Sequence, residues 1–201
     1  MTDTDREARH KARMQRKKAI IDASIAASDE ERGLVLVNTG NGKGKSSAAF
    51  GVLARALGHG MTCAVIQFIK SRSDTGEEAF FKTSALVKWH VMGDGFTWET
   101  QDAERDRATA RVAWEQACAY LRDETIGLLI LDEFTYAMSY GWVSLEEVTQ
   151  ALGERPWMQH VIITGRGASD GLLEAADTAT DMTLKKHAYQ SGVKAMPGIE
   201  W

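Results

Sequence analysis

Leu34-Val35-Leu36-Val37-Asn38-Thr39-Gly40-Asn41-Gly42-Lys43-Gly44-Lys45-Ser46 changes character twice within one short stretch. Leu34 to Asn38 is an apolar run ending in turn residues and reads as a buried strand. Ser46 to Leu57 then sets Ala48, Val52 and Ala56 on one helical face, with Gly58 as the expected C-cap. Between strand and helix lies a glycine-rich loop, the context in which a P-loop is credible. Glycines let the backbone curl until successive N–H groups face an anion, and the following helix adds its positive end. Gly40, Asn41, Gly42, Lys43 and Gly44 are therefore expected to cradle phosphate. Lys45 would neutralise its charge, and the Ser46 hydroxyl would ligate Mg²⁺. Thr39 departs from the pattern, standing where the usual loop has its first glycine, so a variant loop geometry is expected.

Beyond this stretch, strand-like and helix-like segments alternate. Thr62 to Ile69 and Val87 to Met92 are apolar runs, Gln101 to Leu121 is a long helical pattern with acids in its first turn, and Gly127 to Leu131 reads as a strand buried on both faces. Ser144 with Glu147 matches a capping box that opens a short helix, and Val161 to Thr164 returns as a buried strand. Asp170 to Ala176 is read as a further helix and Asp181 to Lys185 as the last strand. Such alternation specifies an α/β fold, a doubly wound, mostly parallel sheet with ligands bound beyond the carboxyl ends of its strands, and with the loop after the first strand the expected fold is P-loop NTPase-like, RecA-like. Arg6 to Ala27 is helix-like but precedes the first strand. Residues 1–30 are thus expected to form a basic helical arm, and 31–201 the nucleotide-binding domain.

A P-loop needs an acid at the end of another buried strand. Leu128-Leu129-Ile130-Leu131-Asp132-Glu133 supplies two, and both Asp132 and Glu133 are candidates for the Mg²⁺ site. Neighbouring strand residues point opposite ways, so only one can dominate contact with a given ion. Two further loops carry functional side chains among glycines: Met92-Gly93-Asp94-Gly95-Phe96-Thr97-Trp98-Glu99-Thr100, and Thr164-Gly165-Arg166-Gly167.

Composition sets outer bounds. With 201 residues, 44% hydrophobic and 26% charged, the chain has the make-up of one compact domain. Its net charge of −4 argues against a general nucleic-acid binder. Residues 1 to 20 carry seven Lys or Arg against three acids, so the rest of the chain stands at −8. Apolar runs such as Leu128 to Leu131 are too short to cross a bilayer, and Met1 to His10 is polar where a signal peptide would be apolar. No membrane partner and a cytoplasmic location are expected. Cys63 and Cys118 read as buried thiols rather than a disulfide or metal pair. His10, His59, His90, His160 and His187 lack a metal-ligand spacing.

The chain resembles the corrinoid adenosyltransferases of cobalamin biosynthesis and salvage, of the P-loop class. The resemblance rests on Gly40 to Ser46 with Ala48-Ala49-Phe50-Gly51, the Gly-Phe-Thr-Trp loop at 95–98, the Leu-Asp-Glu strand end and Thr-Gly-Arg-Gly, and it runs from the Arg-rich start to His187-Ala188-Tyr189 and Lys194 to Trp201. It implies that Co(I) of a corrinoid attacks the ribose 5′ carbon of ATP and expels triphosphate, with Mg²⁺ or Mn²⁺ as cofactor. Co(I) is itself a strong nucleophile, which agrees with the lack of a compelling Ser/His/Asp or Cys/His constellation. Ser46 and Ser47 stand where relatives often have threonines, and both are expected at the nucleotide. Arg55 and Arg166 are the expected arginine contacts to it. Relatives bind ATP in the reverse sense to other P-loop proteins, which the Thr39 departure would accommodate. Phe96 and Trp98 fall on the corrinoid side, where they would exclude a lower axial ligand. The resemblance also implies a homodimer, a flavin-dependent reductant, and an amino-terminal helix that folds over the site.

Two other readings of the same residues stand beside this one. A RecA-like ATPase would hydrolyse ATP to ADP and phosphate with Arg166 as a sensor, and a binding module would hold nucleotide without turnover.

Overall fold

The computed structural model describes residues 3–69, 75–92 and 102–200, and the chain separates into two compact units, Met1–Arg32 and Gly33–Trp201. The first contains one helix, α1 (Asp3–Ala26), whose end is closed by the Ala27 and Ser28 amides donating to Ala23 and Ile25 carbonyls. Its Lys18–Asp22 ion pair joins side chains that both lie in water, and such pairs contribute little.

The second unit is built on β1 (Val35–Thr39), β2 (Cys63–Gln67), β3 (Val87–Val91), β4 (Leu128–Asp132), β5 (His160–Thr164) and β6 (Thr178–Asp181). Their order is β3-β2-β4-β5-β1-β6, and every pairing is parallel. The expected mostly parallel sheet is thus parallel throughout its described strands. β5 separates the strand of the phosphate loop from the strand that carries the acids, as in RecA-like P-loop sheets.

Parallel strands need helices on both faces, so their side chains are buried in both directions. β2 and β4 are buried at every position. Alternate residues feed two cores: Ala64, Ile66, Leu129, Leu131, Val161 and Ile163 face one, and Cys63, Val65, Leu128, Ile130 and Ile162 face the other. The first is covered by helix α4 (Ala103–Leu121) through Ala110, Ala113, Trp114 and Ala117, with Trp114 stacked on Phe134. Asp102 caps that helix by accepting from the Arg105 amide. Helix α2 (Lys45–Gly58) covers the second. Cys63 is buried there, and burial pushes its thiol up to about 11, while Cys118 is partly buried against the first core.

The register of α2 differs from the sequence reading. Ala48 is exposed, and the buried stripe is Lys45, Ala49, Phe50, Leu53 and Ala56, so the inward face starts with the lysine itself. Nor is Gly58 the cap. The helix runs through it to a C-cap at His59, and the left-handed residue is Gly60, φ 73°. β6 ends where the last strand was expected to begin. It is exposed along its length, so no apolar pattern marks it, whereas Met182 and Leu184 just beyond it imitate one. Two short helices, α3 (Gly76–Phe81) and α5 (Thr135–Ser139), have no counterpart in that reading.

Helix α6 (Leu145–Gly153) opens with the expected capping box, Ser144 Oγ accepting from the Glu147 amide and Glu147 from the Ser144 amide. The Ser144 amide, then Arg111, which donates to Glu147 at 2.7 Å, hold the Glu147 carboxyl down at about 2. Its unfolded value is about 4.3. The folded pKa is the lower one, so this stabilisation is present above the unfolded value and is lost as pH falls toward 2. Glu147→Gln is therefore expected to lower the melting temperature at neutral pH by no more than a few degrees, because the pair is partly in water. The gap between variant and wild type should close as melts are taken toward acid.

Candidate functional site

The loop after β1 is shaped by contacts that only glycine permits. Gly44, the N-cap of α2, has φ 108°, and a Cβ on Gly42 would lie 2.5 Å from the Met182 carbonyl oxygen. Gly42 N–H donates to that oxygen at 2.6 Å, so an anion would be held by other amides of the loop. Lys45 curls back to donate to the Gly42 carbonyl at 2.8 Å, and Asn38 Nδ2 donates to the Lys45 carbonyl. Burial lowers the Lys45 pKa, with Arg166 and Lys43 pushing the same way and Glu133 and Asp132 opposing. Glu133, Arg166, Lys43 and Asp132 thus lie within electrostatic reach of Lys45.

Thr39 now has a physical role. Its hydroxyl accepts from the Ala168 amide at 3.2 Å, a contact glycine lacks, and ties the phosphate loop to the turn that carries Arg166. Thr135 holds the same turn by donating to the Arg166 carbonyl at 2.7 Å. Gly165, φ 141°, lets the backbone pass the Thr135 hydroxyl.

The two acids have different surroundings. Asp132 is buried, and its two oxygens accept from Thr164 Oγ1 at 2.7 Å and Gln67 Nε2 at 3.0 Å. Glu133 follows at φ 56°, the one described non-glycine residue with positive φ, and its amide donates to Thr164 Oγ1 at 2.9 Å. Its buried Oε2 has no hydrogen-bond partner among the described residues. Burial and then Asp132 raise its pKa, against the pull of Lys45, Arg166 and Lys43. A buried carboxylate oxygen without a hydrogen-bond partner among the described residues is a hard ligand of the kind Mg²⁺ takes, and the Ser46 hydroxyl, in the first turn of α2, is the other expected one. Among the described residues no group of three or more His, Cys, Asp or Glu could hold a metal. A cation here would complete its shell from nucleotide and water.

The structure thus brings together Lys43, Lys45, Asp132, Glu133 and Arg166. Asn41, Lys43 and Ser47 are exposed on the loop and first turn, Ser47 opening onto a cavity of about 370 Å³ also lined by Phe80, Phe81, Gly198 and Ile199. Lys43 pairs with Glu200. Arg55 is not brought to this group. It lies ten residues along α2 from Lys45, about 15 Å up the axis, beside a cavity of about 250 Å³ lined by Leu34, Leu128 and His160 at the amino ends of their strands. Phe96 and Trp98 lie outside the described residues.

Sequence reasoning missed Gln67 and Thr135, and quoted Thr164 only for its neighbour Arg166. A signal was available. Asn38, Gln67, Asp132 and Thr164 are buried polar residues at the carboxyl ends of the four central strands, with Asn38 in register with Thr164 and Gln67 with Asp132.

A glycine cradle running into α2, with an acid-bearing strand one place removed in a parallel sheet, defines a P-loop protein of the RecA-like kind. Comparison with known proteins narrows this. Residues 31–201 match the family described as ATP:corrinoid adenosyltransferase BtuR/CobO/CobP, and residues 1–25 match the cob(I)alamin adenosyltransferase N-terminal family. The corrinoid adenosyltransferase of Pseudomonas aeruginosa is 54% identical over 198 residues, covering 98% of each chain. That of Escherichia coli (strain K12) is 47% identical over 193 residues, 96% of this chain and 98% of its own. That of Sinorhizobium sp is 45% identical over 198 residues, 97% and 92% respectively. The chain belongs to the ATP:corrinoid adenosyltransferase family.

Proposed function

We propose that this protein transfers the adenosyl group of ATP to the cobalt of a corrinoid and releases triphosphate, in cobalamin biosynthesis or salvage. The observation that carries the reading is family membership across residues 31–201, with the phosphate cradle, Asp132-Glu133 and Arg166 gathered at one end of the sheet. Co(I) donates its electron pair to the 5′ carbon. The C5′–O bond breaks, its electrons leave with triphosphate, and cobalt ends as Co(III) bonded to carbon. The protein needs no nucleophile or general base of its own. Its work is to align ATP with the corrinoid and to stabilise charge on the departing triphosphate, through loop amides, Lys43, Lys45 and Arg166.

Ser46 and Glu133, with Asp132 behind them, would hold Mg²⁺ or Mn²⁺, and Glu133 Oε2, buried without a partner among the described residues, supports that fit. When bound, the cation neutralises triphosphate charge. Arg55, at the far end of α2, has no part in this reading. Phe96 and Trp98 would crowd the lower face of the corrinoid and remove its axial ligand, which eases reduction to Co(I). Phe96→Ala and Trp98→Ala are expected to diminish the four-coordinate Co(II) spectrum formed with ATP, most for complete cobalamin. An undiminished spectrum would return both rings to a packing role. The family resemblance supports a homodimer, a flavin-dependent electron donor and closure by the basic helix α1. A cytoplasmic location belongs to the same reading, and among the described residues no helix is long and apolar enough to cross a membrane.

Product analysis tests the reading. Purified protein with ATP, Mg²⁺ and chemically reduced corrinoid should yield adenosylcorrinoid and triphosphate in equal amounts. ADP with phosphate would instead establish a RecA-like ATPase, and absence of turnover a binding module.

A further inference from the structure

Thr164 is fully buried at the end of β5, and its hydroxyl serves two neighbours at once. An ionised carboxylate only accepts and a peptide N–H only donates, so one orientation satisfies both: the hydroxyl gives its proton to Asp132 and takes the Glu133 N–H. Asp132 is fixed from the other side as well. Gln67 Nε2 donates to its second oxygen, and Gln67 Oε1 accepts from Trp89 Nε1 at 3.1 Å, which sets the amide's orientation. A buried chain therefore runs from Trp89 through Gln67, Asp132 and Thr164 to the peptide of Glu133.

That peptide is the one that needs holding. At φ 56° Glu133 occupies a region disfavoured for any residue with a Cβ, and the chain leaves the strand there. The direction of the Glu133 carboxylate follows from how this peptide is held. Its Oε2 is buried without a hydrogen-bond partner among the described residues, the arrangement expected of a ligand kept ready rather than one spent on the fold. Both oxygens of Asp132 are already engaged by neutral donors.

We infer that Thr164 is a positioning residue for the cation that accompanies ATP: by clasping Asp132 to the Glu133 peptide it aims the Glu133 carboxylate, and Asp132 serves the site through Thr164 rather than as the leading ligand. This rests on the reading of Glu133 as a cation ligand. Groups of this kind, one bond removed from a ligand, typically change metal affinity by about 10–100-fold when removed.

The test is the ratio of ATP affinities measured by calorimetry with Mg²⁺ and with chelator, for wild type, Thr164→Val, Thr164→Ser and Glu133→Gln. Thr164→Val keeps the side-chain shape and deletes the hydroxyl. Its Mg²⁺-dependent gain in ATP affinity is expected to shrink about 10-fold or more, with metal-free affinity unchanged and Thr164→Ser close to wild type. Loss of ATP affinity to the same degree with and without Mg²⁺ would make Thr164 structural and overturn the inference. A full gain in Thr164→Val alongside its loss in Glu133→Gln would overturn it too, while leaving the cation reading standing. A full gain in both variants would remove the cation reading and the inference together. If Thr164→Val does not fold, Thr164→Ser and Thr164→Ala differ in the hydroxyl alone, and equal gains in those two would overturn the inference.

Discussion

Replacing Lys45 with alanine is expected to slow triphosphate release by about 10²–10³-fold, the loss typical of removing one group aimed at developing negative charge, while the protein melts no lower than wild type. The first half follows from where the ammonium lies. It sits at the start of α2, within reach of Glu133, Arg166, Lys43 and Asp132, at the loop where the triphosphate would be bound. The second half follows from its cost to the fold. Lys45 is only 6% exposed, and burial holds its pKa below the unfolded value. A lysine with a depressed folded pKa destabilises the native state wherever it is charged, and the penalty fades only as pH rises through that lowered value. Alanine removes this penalty at neutral pH and gives up one hydrogen bond, to the Gly42 carbonyl. Single-turnover assays of triphosphate with parallel thermal melts decide the matter. Release within twofold of wild type would take Lys45 out of the site, and a fall of many degrees in melting temperature would make it a pin for the loop.

The inward turn of Lys45 also shows where sequence patterns succeed and where they stop. β2 and β4 are legible because burial on both faces leaves unbroken apolar runs, and the capping box at Ser144 is legible because its two hydrogen bonds depend on residues three apart. The phase of α2 is not, because a lysine occupies the first place of its buried stripe and a hydrophobic template skips it. β6 escapes for the opposite reason, being an exposed edge strand of Thr, Ala, Thr and Asp. Of the candidate site residues, Gly40 to Ser46 and Asp132-Glu133 stand out in the sequence by local pattern. Thr164 and Gln67 reach Asp132 through hydrogen bonds spanning 32 and 65 residues, and no local spacing reports those. Arg55, expected at the nucleotide, lies ten residues along α2 from Lys45, and the length of the helix carries it away.

Asp132 and Glu133 should fail in opposite ways when each loses its charge. Asp132→Asn places an amide where a carboxylate accepts from two donors, Thr164 and Gln67. Whichever way the amide is turned, its NH₂ meets a donor. The Thr164 hydroxyl can reverse to accept from it only by leaving its own proton without a partner, in surroundings that are fully buried. A buried group left unsatisfied costs about 1–3 kcal/mol, and at this chain length each kcal/mol lowers the melting temperature by about 2–4 °C. A clear thermal loss is therefore expected before any effect on chemistry. Glu133→Gln removes a carboxylate whose pKa is raised by burial and by Asp132 beside it, so at neutral pH its charge works against the fold. Its removal should leave the melting temperature unchanged or higher, yet raise the Mg²⁺ concentration needed for half-maximal adenosyl transfer by about 10-fold or more, as expected for losing an ionic oxygen ligand. Thermal melts and Mg²⁺ titrations of the two variants form one comparison. If Asp132→Asn instead melts like wild type and shifts the titration, while Glu133→Gln does not, the leading ligand is Asp132 and the buried Oε2 of Glu133 has another use.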